Sequence, residues 1–388
     1  MSSYMHMGSN TENLVGEKDL EEFKGIILSP VNREPDELMR NMSKFRKKGK
    51  YDVVLDPQLY FPRSEREHLQ HQPYFPSDLD TADITSLEWW DKTLVLLSAY
   101  VKKLDVNAVA SPVTYPNTWS DDYFGRCTEL SAKLSEKLKG TDIRVLTTAL
   151  IDIGYLSDEA SALRTASILS GKECNGYYIV FESDKEPRRE FNEPNELFGM
   201  MALINAISKT DKPIIVAHCS SDMVLFKAAG ASHCATGKFF NLRRQTKSRY
   251  QVPSGGGGQL AYWFEQSLMT FLRETELLRI ENGGHGDLIG YQFSGNYWSN
   301  EIMDNLMGTY PQAWVGLGWR QYLSWFGKAE QAINGDCAIL VDSWLETAED
   351  NWKKLKDARI LLDDSRNDGT WLRPWRLALN KLIKQIGI

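Results

Sequence analysis

From Gly25 onward, short and nearly continuous apolar runs alternate with longer stretches whose apolar positions recur every three or four residues. The runs are GIILSP (25–30), YDVVLDP (51–57), NAVASP (107–112), DIRVLTTAL (142–150), GYYIVFES (176–183), KPIIVAHC (212–219) and ASHCATG (231–237). Apolar runs of this length, bounded by turn formers, read as strands buried on both faces. Between them EPDELMRNMSKF, LEWWDKTLVLLSAYVKKL, DDYFGRCTELSAKLSEKLKG, SDEASALRTASILSG, EPNELFGMMALINAISKT and SSDMVLFKAAG have helical spacing. Acids open the first and bases close it, Gly140 stands as a C-cap, and Ser220 or Ser221 starts the last. Strands alternating with helices predict a parallel sheet. Seven such units lie one short of a (β/α)8 TIM-like barrel. The eighth strand falls near 248–253 or elsewhere in the chain, and an open doubly wound sheet is the alternative.

The rhythm stops at QVPSGGGGQL (251–260). No Gly-Lys-Ser/Thr follows its four glycines, so they form no P-loop and read as a joint or a loop over the barrel mouth. AYWFEQSLMTFLRETELLRI (261–280) reads as a long helix and 296–388 as mostly helical, with eight of the twelve tryptophans in that last part. Tryptophan brings a large buried area, so this region is expected to pack on the barrel as an α-helical, Trp-rich appendage. The division is then 1–20 a disordered leader or tag remnant, 21–250 the TIM-like barrel and 251–388 the helical region.

Composition narrows the function classes. The chain has 388 residues, 42% apolar and 25% charged, and a net charge of −7. That balance gives no overall attraction to nucleic acid or anionic lipid, so such contact requires a local patch. No apolar run reaches the roughly 18 residues of a membrane span. Five scattered cysteines without a Cys-x-x-Cys read as reduced thiols, which places the chain in the cytoplasm and argues against a disulfide framework. Neither the cysteines nor the histidines give a metal-ligand spacing, and no cofactor motif is present.

In a barrel the reacting groups come from the C-terminal ends of the strands. Asp56 and Glu182 each end an apolar strand, where desolvation raises a carboxyl pKa towards acid–base work. His218 ends the sixth strand. Gln58, His233 and Thr236 complete a candidate pocket, although His233 sits mid-strand and faces either the lumen or the helices. A cation-rich segment follows. From 223 to 264 there is no Asp or Glu, while Lys227, Lys238, Arg243, Arg244, Lys247 and Arg249 are present. With Ser220 at a helix start, Lys238, Arg243, Arg244, Lys247 and Arg249 are candidates for binding phosphate or a nucleic-acid backbone, on the side where barrels hold phosphates.

The segment HCSSDMVLFKAAGASHCATGKFFNLRR, with VVLDPQ upstream, resembles the tRNA-guanine transglycosylase superfamily in shape and length. The resemblance implies a (β/α)8 barrel that exchanges a base through a carboxylate nucleophile, with Asp56 contacting the base. The nucleophile position falls at or near His233, and the family's Cys-x-Cys-x-x-Cys…His zinc pattern is not found here. Three functions are therefore expected. The first is an enzyme on a nucleotide, base or phosphorylated ligand, with N-glycosidic exchange or cleavage. The second is a non-catalytic nucleic-acid- or protein-binding subunit that uses 238–249. The third is a small-metabolite sugar-phosphate barrel enzyme.

Overall fold

The computed structural model describes residues 2–76, 85–171, 174–252, 260–289, 296–333, 337–363 and 367–387. Eight strands pair in sequence order and close into a barrel, as the alternation of apolar runs and helices implies. They are β1 (Ser3–His6), β2 (Phe23–Leu28), β3 (Asp52–Leu55), β4 (Ala108–Ala110), β5 (Arg144–Asp152), β6 (Tyr177–Glu182), β7 (Ile214–Ala217) and β8 (His233–Thr236). Every pairing is parallel.

The closing strand lies in the segment expected to be a leader. β1 is inserted between β2 and β8, with Tyr4 opposite both Gly25 and Ala235. All four of its residues are buried. The barrel therefore begins at Ser3 rather than at 21, and Lys247–Tyr250 forms a 3-10 turn rather than a strand. Ser, Tyr, Met and His in four residues carry no apolar run, so composition conceals this strand.

Successive strand residues point to opposite faces, so Asp52, Val54 and Asp56 share the lumen side. At the N-terminal end of the barrel the Tyr4 hydroxyl donates to Asp52, and Arg144 Nη2 donates to Asp52 Oδ1 at 2.5 Å. These three residues come from β1, β3 and β5, the alternate-strand layering expected of a filled barrel. Gly25 is required there, because a Cβ would stand 2.2 Å from the Tyr4 ring.

Six helices ring the strands: α1 (Pro35–Lys48), α3 (Leu87–Leu104), α4 (Asp121–Lys137), α5 (Glu159–Leu169), α6 (Pro194–Ser208) and the short α7 (Met223–Ala228); α2 (Glu67–Gln70) is a single turn in the loop after β3. A C-terminal region takes the place of the helix that would follow β8. It comprises the hairpin β9–β10 (Trp263–Glu265, Thr270–Leu272) and α8 (Glu274–Ile280), α9 (Tyr297–Leu306), α10 (Val315–Ala332), α11 (Ala338–Asp357) and α12 (Leu372–Ile386). The long helix expected over 261–280 is thus a hairpin followed by two turns of helix. Gln321 on α10 explains why: its side chain bonds both the N–H and the C=O of Phe264, at 3.0 and 2.9 Å, as a neighbouring strand would.

α10 seals the β8–β1 seam. Its Glu330 carboxylate accepts from the Cys234 N–H at 2.7 Å, and its Arg320 grips Glu17 through two bonds of 2.7 Å. On α12, Trp375 is fully buried and donates to the Phe191 carbonyl at 2.7 Å. Among the described residues no helix is long and apolar enough to cross a membrane. The four glycines at 255–258 lie outside the described residues. If β1 is structural, deleting residues 2–6 leaves β2 and β8 as unsatisfied edges. The deletion is expected to abolish cooperative thermal unfolding, followed by circular dichroism; a true leader would leave the melting curve unchanged.

Candidate active site

Asp56 sits in the lumen at the C-terminal end of β3 and is 1% exposed. Its carboxylate accepts from Tyr60 (3.2 and 3.1 Å), from Tyr178 across the barrel (3.2 Å) and from the Gln58 N–H (3.0 Å). Desolvation pushes its pKa up to about 6, against the pull of those donors and of Arg249. The sequence signal for Tyr60 is its position four residues after Asp56. Tyr178 gives no such signal, because it reaches Asp56 from β6.

Glu182, on the same face of β6 as Tyr178, is also 1% exposed. Burial raises it to about 7, opposed by Lys247 and reinforced by Asp184 and Asp152. Its Oε1 has no hydrogen-bond partner. The Gln245 amide and the hydroxyls of Tyr115 and Tyr250 have only weak polar contacts with one another among the described residues. Those groups are neighbours. Gln245 pairs with Glu182 through its backbone, and its amide faces both hydroxyls. Tyr115 feels Glu182, and Tyr250 feels Asp56, so one polar wall joins the two acids. Buried polar atoms held by weak bonds cost free energy, so this wall is a polar surface in an otherwise apolar lumen.

His218 follows β7 with φ of +58°, a left-handed conformation that side-chain-bearing residues seldom take. Its ring stacks on His6 with centroids 4.1 Å apart and has the Leu242 backbone as a weak polar neighbour. Burial and the neighbouring His6 and Arg249 hold the His218 ring well below the usual histidine range, and burial with Arg249 does the same for His6. Both imidazoles are therefore neutral at pH 7. His6 was hidden from sequence reasoning inside the supposed leader.

Three pocket candidates direct their side chains elsewhere. Gln58 is committed to the scaffold, bonding Ser29 Oγ at 2.8 Å and the Val31 N–H at 2.9 Å. His233 opens β8 at the opposite end of the barrel, with Nδ1 on the Ser2 carbonyl at 2.8 Å. Thr236 turns outward to the Tyr322 hydroxyl of α10 at 2.9 Å.

The cation-rich segment is not a solvated strip. Lys238, Arg243, Arg244 and Arg249 are each at most 5% exposed, and only Lys247 of the five phosphate candidates is open to solvent. Arg244 is consumed internally, paired with Asp222 at 3.3 Å and Glu190 at 3.7 Å and stacked on Phe191. Ser220 is equally occupied, since its N–H donates to Asp222 at 2.8 Å; the start of α7 is filled by the protein's own carboxylates. Lys227 pairs with Glu330 at 3.9 Å.

Arg249 closes the mouth instead. Its Nη2 donates to Ser29 Oγ at 2.7 Å and its Nη1 to the Asn241 carbonyl at 2.9 Å, while Arg66 and Ser64 hold the carbonyls of Arg249 and Tyr250. A strap over 243–250 thus crosses the barrel top. A cavity of about 560 Å³ lies on one side, walled by Tyr60, Phe61, Tyr115 and Tyr250 with Lys247 at its rim. On the other side is one of about 630 Å³ to which Arg66, Lys238 and Arg249 contribute. Among the described residues no group of three or more His, Cys, Asp or Glu side chains is placed to hold a metal ion.

No protein-family model matches this sequence, and no curated protein matches it. Among solved structures the chain is similar to a GH18 chitinase from Pseudoalteromonas aurantia, at 12% identity and a TM-score of 0.38 over 62% of this chain and 95% of that one. It is also similar to an N-acetylneuraminate lyase from Mycoplasma synoviae (15%, TM-score 0.33, 60% and 62%) and to an L-ribulose 3-epimerase (11%, TM-score 0.32, 61% and 81%). The barrel assignment stands on the strand pairing itself.

The burial of Asp56 has a measurable cost. Its folded pKa of about 6 exceeds the ordinary value of 3.8, so the folded chain binds this proton more tightly than the unfolded one. Stability therefore falls as pH rises from about 4 to 6, and the full penalty, on the order of 2–3 kcal/mol, persists above that. Asp56→Asn is expected to raise the thermal midpoint at pH 7.5 and to change it little at pH 4. An unchanged or lower midpoint at pH 7.5 counts against a desolvated carboxylate.

Proposed function

We propose that this protein is a barrel enzyme that moves protons on a small anionic metabolite, with Asp56 as general base and Glu182 as general acid. The observation that carries the reading is that two buried strand-end carboxyls, held near 6 and 7, border one wall of buried polar side chains. Catalysis by proton transfer works best with groups that titrate near the working pH, and two acids displaced to different values divide the roles. Asp56, the lower of the two, is ionised first and accepts a proton, its charge steadied by the Tyr60 and Tyr178 hydroxyls. Glu182 keeps its proton to higher pH and donates it. In this reading His218, a neutral buried imidazole, bonds a substrate hydroxyl or carbonyl. The anionic character of the substrate is supported by the cations around the mouth, which are buried along open cavities and not set on an exposed stripe that a polymer would track.

A narrower second reading, cleavage or exchange at an N-glycosidic bond as in the tRNA-guanine transglycosylases, is favoured by one feature. The cavity beside the two acids has four aromatic side chains, which suit a flat base. In that case one carboxylate attacks the sugar carbon while the other protonates the departing base.

The pH profile tests both forms. With phosphorylated sugars and nucleosides supplied as a panel and products followed by mass spectrometry, kcat/KM is expected to peak between about pH 6 and 7. The rising limb comes from Asp56 and the falling limb from Glu182. Asp56→Asn and Glu182→Gln are each expected to lower kcat by roughly 100-fold or more, with the falling limb lost in the second. Full activity in both variants would end the proposal, and release of a free base separates the narrower reading from the broader one.

A further inference from the structure

The cavity of about 630 Å³ beyond the strap has a charge pattern that the acid–base roles leave unused. Among the described residues that line it four are cations, Arg66, Lys238, Arg243 and Arg249, and none is Asp or Glu. Among the described residues no carboxylate lies within ion-pair distance of any of the four. Their neutral partners are backbone carbonyls, a serine hydroxyl and aromatic faces. Arg243 bonds the carbonyls of Gly237 and Lys238 at 2.8 and 2.9 Å and lies over Tyr322 at 3.6 Å. Arg66 bonds the carbonyls of Val31 and Arg249. Arg249 is 5% exposed and its Nε has no partner.

Lys238 decides the character of the site. Its ammonium sits between two rings, 4.7 Å from the centroid of Phe239 and 4.5 Å from that of Trp319. The charges that face it are Glu12, Arg33 and Arg320, but Glu12 is already paired with Arg33 at 2.9 Å and Arg320 with Glu17 at 2.7 Å. The balance around Lys238 is therefore positive. Asp56 and Glu190 act on Arg249 and Arg243 only from beyond ion-pair distance, and cations so held in a partly desolvated cavity attract an anion far more strongly than the same charges in water. Phe239, Trp319 and Tyr262 are half-buried and turn ring surface to the same space.

We infer that this cavity is a binding site for a small phosphate monoester whose organic part is flat and aromatic, with Lys238 and Arg249 on the phosphate and Trp319 against the ring. The inference rests on the reading above in taking the ligand to be small, and it adds the ligand's class. Burial and the surrounding cations lower Lys238 to about 8, so its charge is lost just above physiological pH. Arg243 keeps its charge at that pH, because burial lowers it only to about 10. A bound dianion favours the charged lysine. Affinity is then full below about pH 8 and falls as pH rises through it.

Calorimetric titration of the full chain with phenyl phosphate and methyl phosphate is the test, since the two share a headgroup and differ in the ring. Phenyl phosphate is expected to bind at least tenfold more tightly, and its affinity to drop severalfold between pH 7.5 and 9. Lys238→Met is expected to weaken both probes tenfold or more. Lys238→Arg should keep binding and abolish the pH dependence, a result that mere structural damage does not produce. Trp319→Phe should narrow the preference for phenyl over methyl phosphate. Equal affinity for the two probes, unchanged binding in Lys238→Met, or displacement of phenyl phosphate by sub-stoichiometric single-stranded oligonucleotide would each overturn the inference, the last by showing a polymer site. The wild-type comparison needs no variant to fold. In the wild-type chain, phenyl phosphate binding with no turnover of any panel compound defeats the enzyme reading alone, and turnover without probe binding defeats this one alone.

Discussion

A single buried guanidinium organises the top of the barrel. Arg249 reaches down to Ser29 at the end of β2, sideways to the Asn241 carbonyl, and has its own carbonyl held by Arg66. Those bonds fix the strap whose neighbouring residues, Gln245 and Tyr250, form the wall between the two acids. The same positive charge restrains the rise in the Asp56 pKa and disfavours protonation of His6 and His218. A charge removed from water must be matched by dipoles or opposite charge, and here the matching groups are also the floor and walls of the site.

The C-terminal region supplies the second half of that arrangement. Elsewhere in the barrel, buried cations are neutralised by acids: Lys227 by Glu330, Arg244 by Asp222 and Glu190. Where α10 meets the loop after β8, aromatic faces take over, with Tyr322 beneath Arg243 and Trp319 beside Lys238. A ring face stabilises a cation without cancelling its charge. The tryptophans that end the chain are thus mostly core, as Trp375 illustrates, while Trp319 shapes a cavity.

The parts of this architecture visible in the sequence are those set by short-range pattern. Seven strands show as apolar runs, and Asp56, Glu182 and His218 follow from their positions at run ends. β1 is invisible because SYMH has no run and its partners, Gly25 and Ala235, are distant in sequence. The hairpin at 263–272 is invisible because its conformation depends on Gln321, some 57 residues later. Tyr178 and Tyr115 belong to the site only through contacts across the lumen or through loops. The cations of 238–249 are plain in the sequence, but their direction is not. A charge pattern records what a segment carries and not whether it faces solvent.

The position of β1 has a further consequence, for how the chain reaches this state. One edge of β1 waits for β8, because Tyr4 pairs with Ala235. At roughly 5–20 residues per second of synthesis, the second partner arrives on the order of ten to fifty seconds after the first strand has left the ribosome. Through that interval β1 and the growing far edge of the sheet offer unpaired backbone to any neighbouring strand. The sheet is completed by its most distant contact, which makes this a slow-closing barrel by topology. α10, which covers the seam through Glu330 and Arg320, cannot lock it until nearly a hundred residues later still.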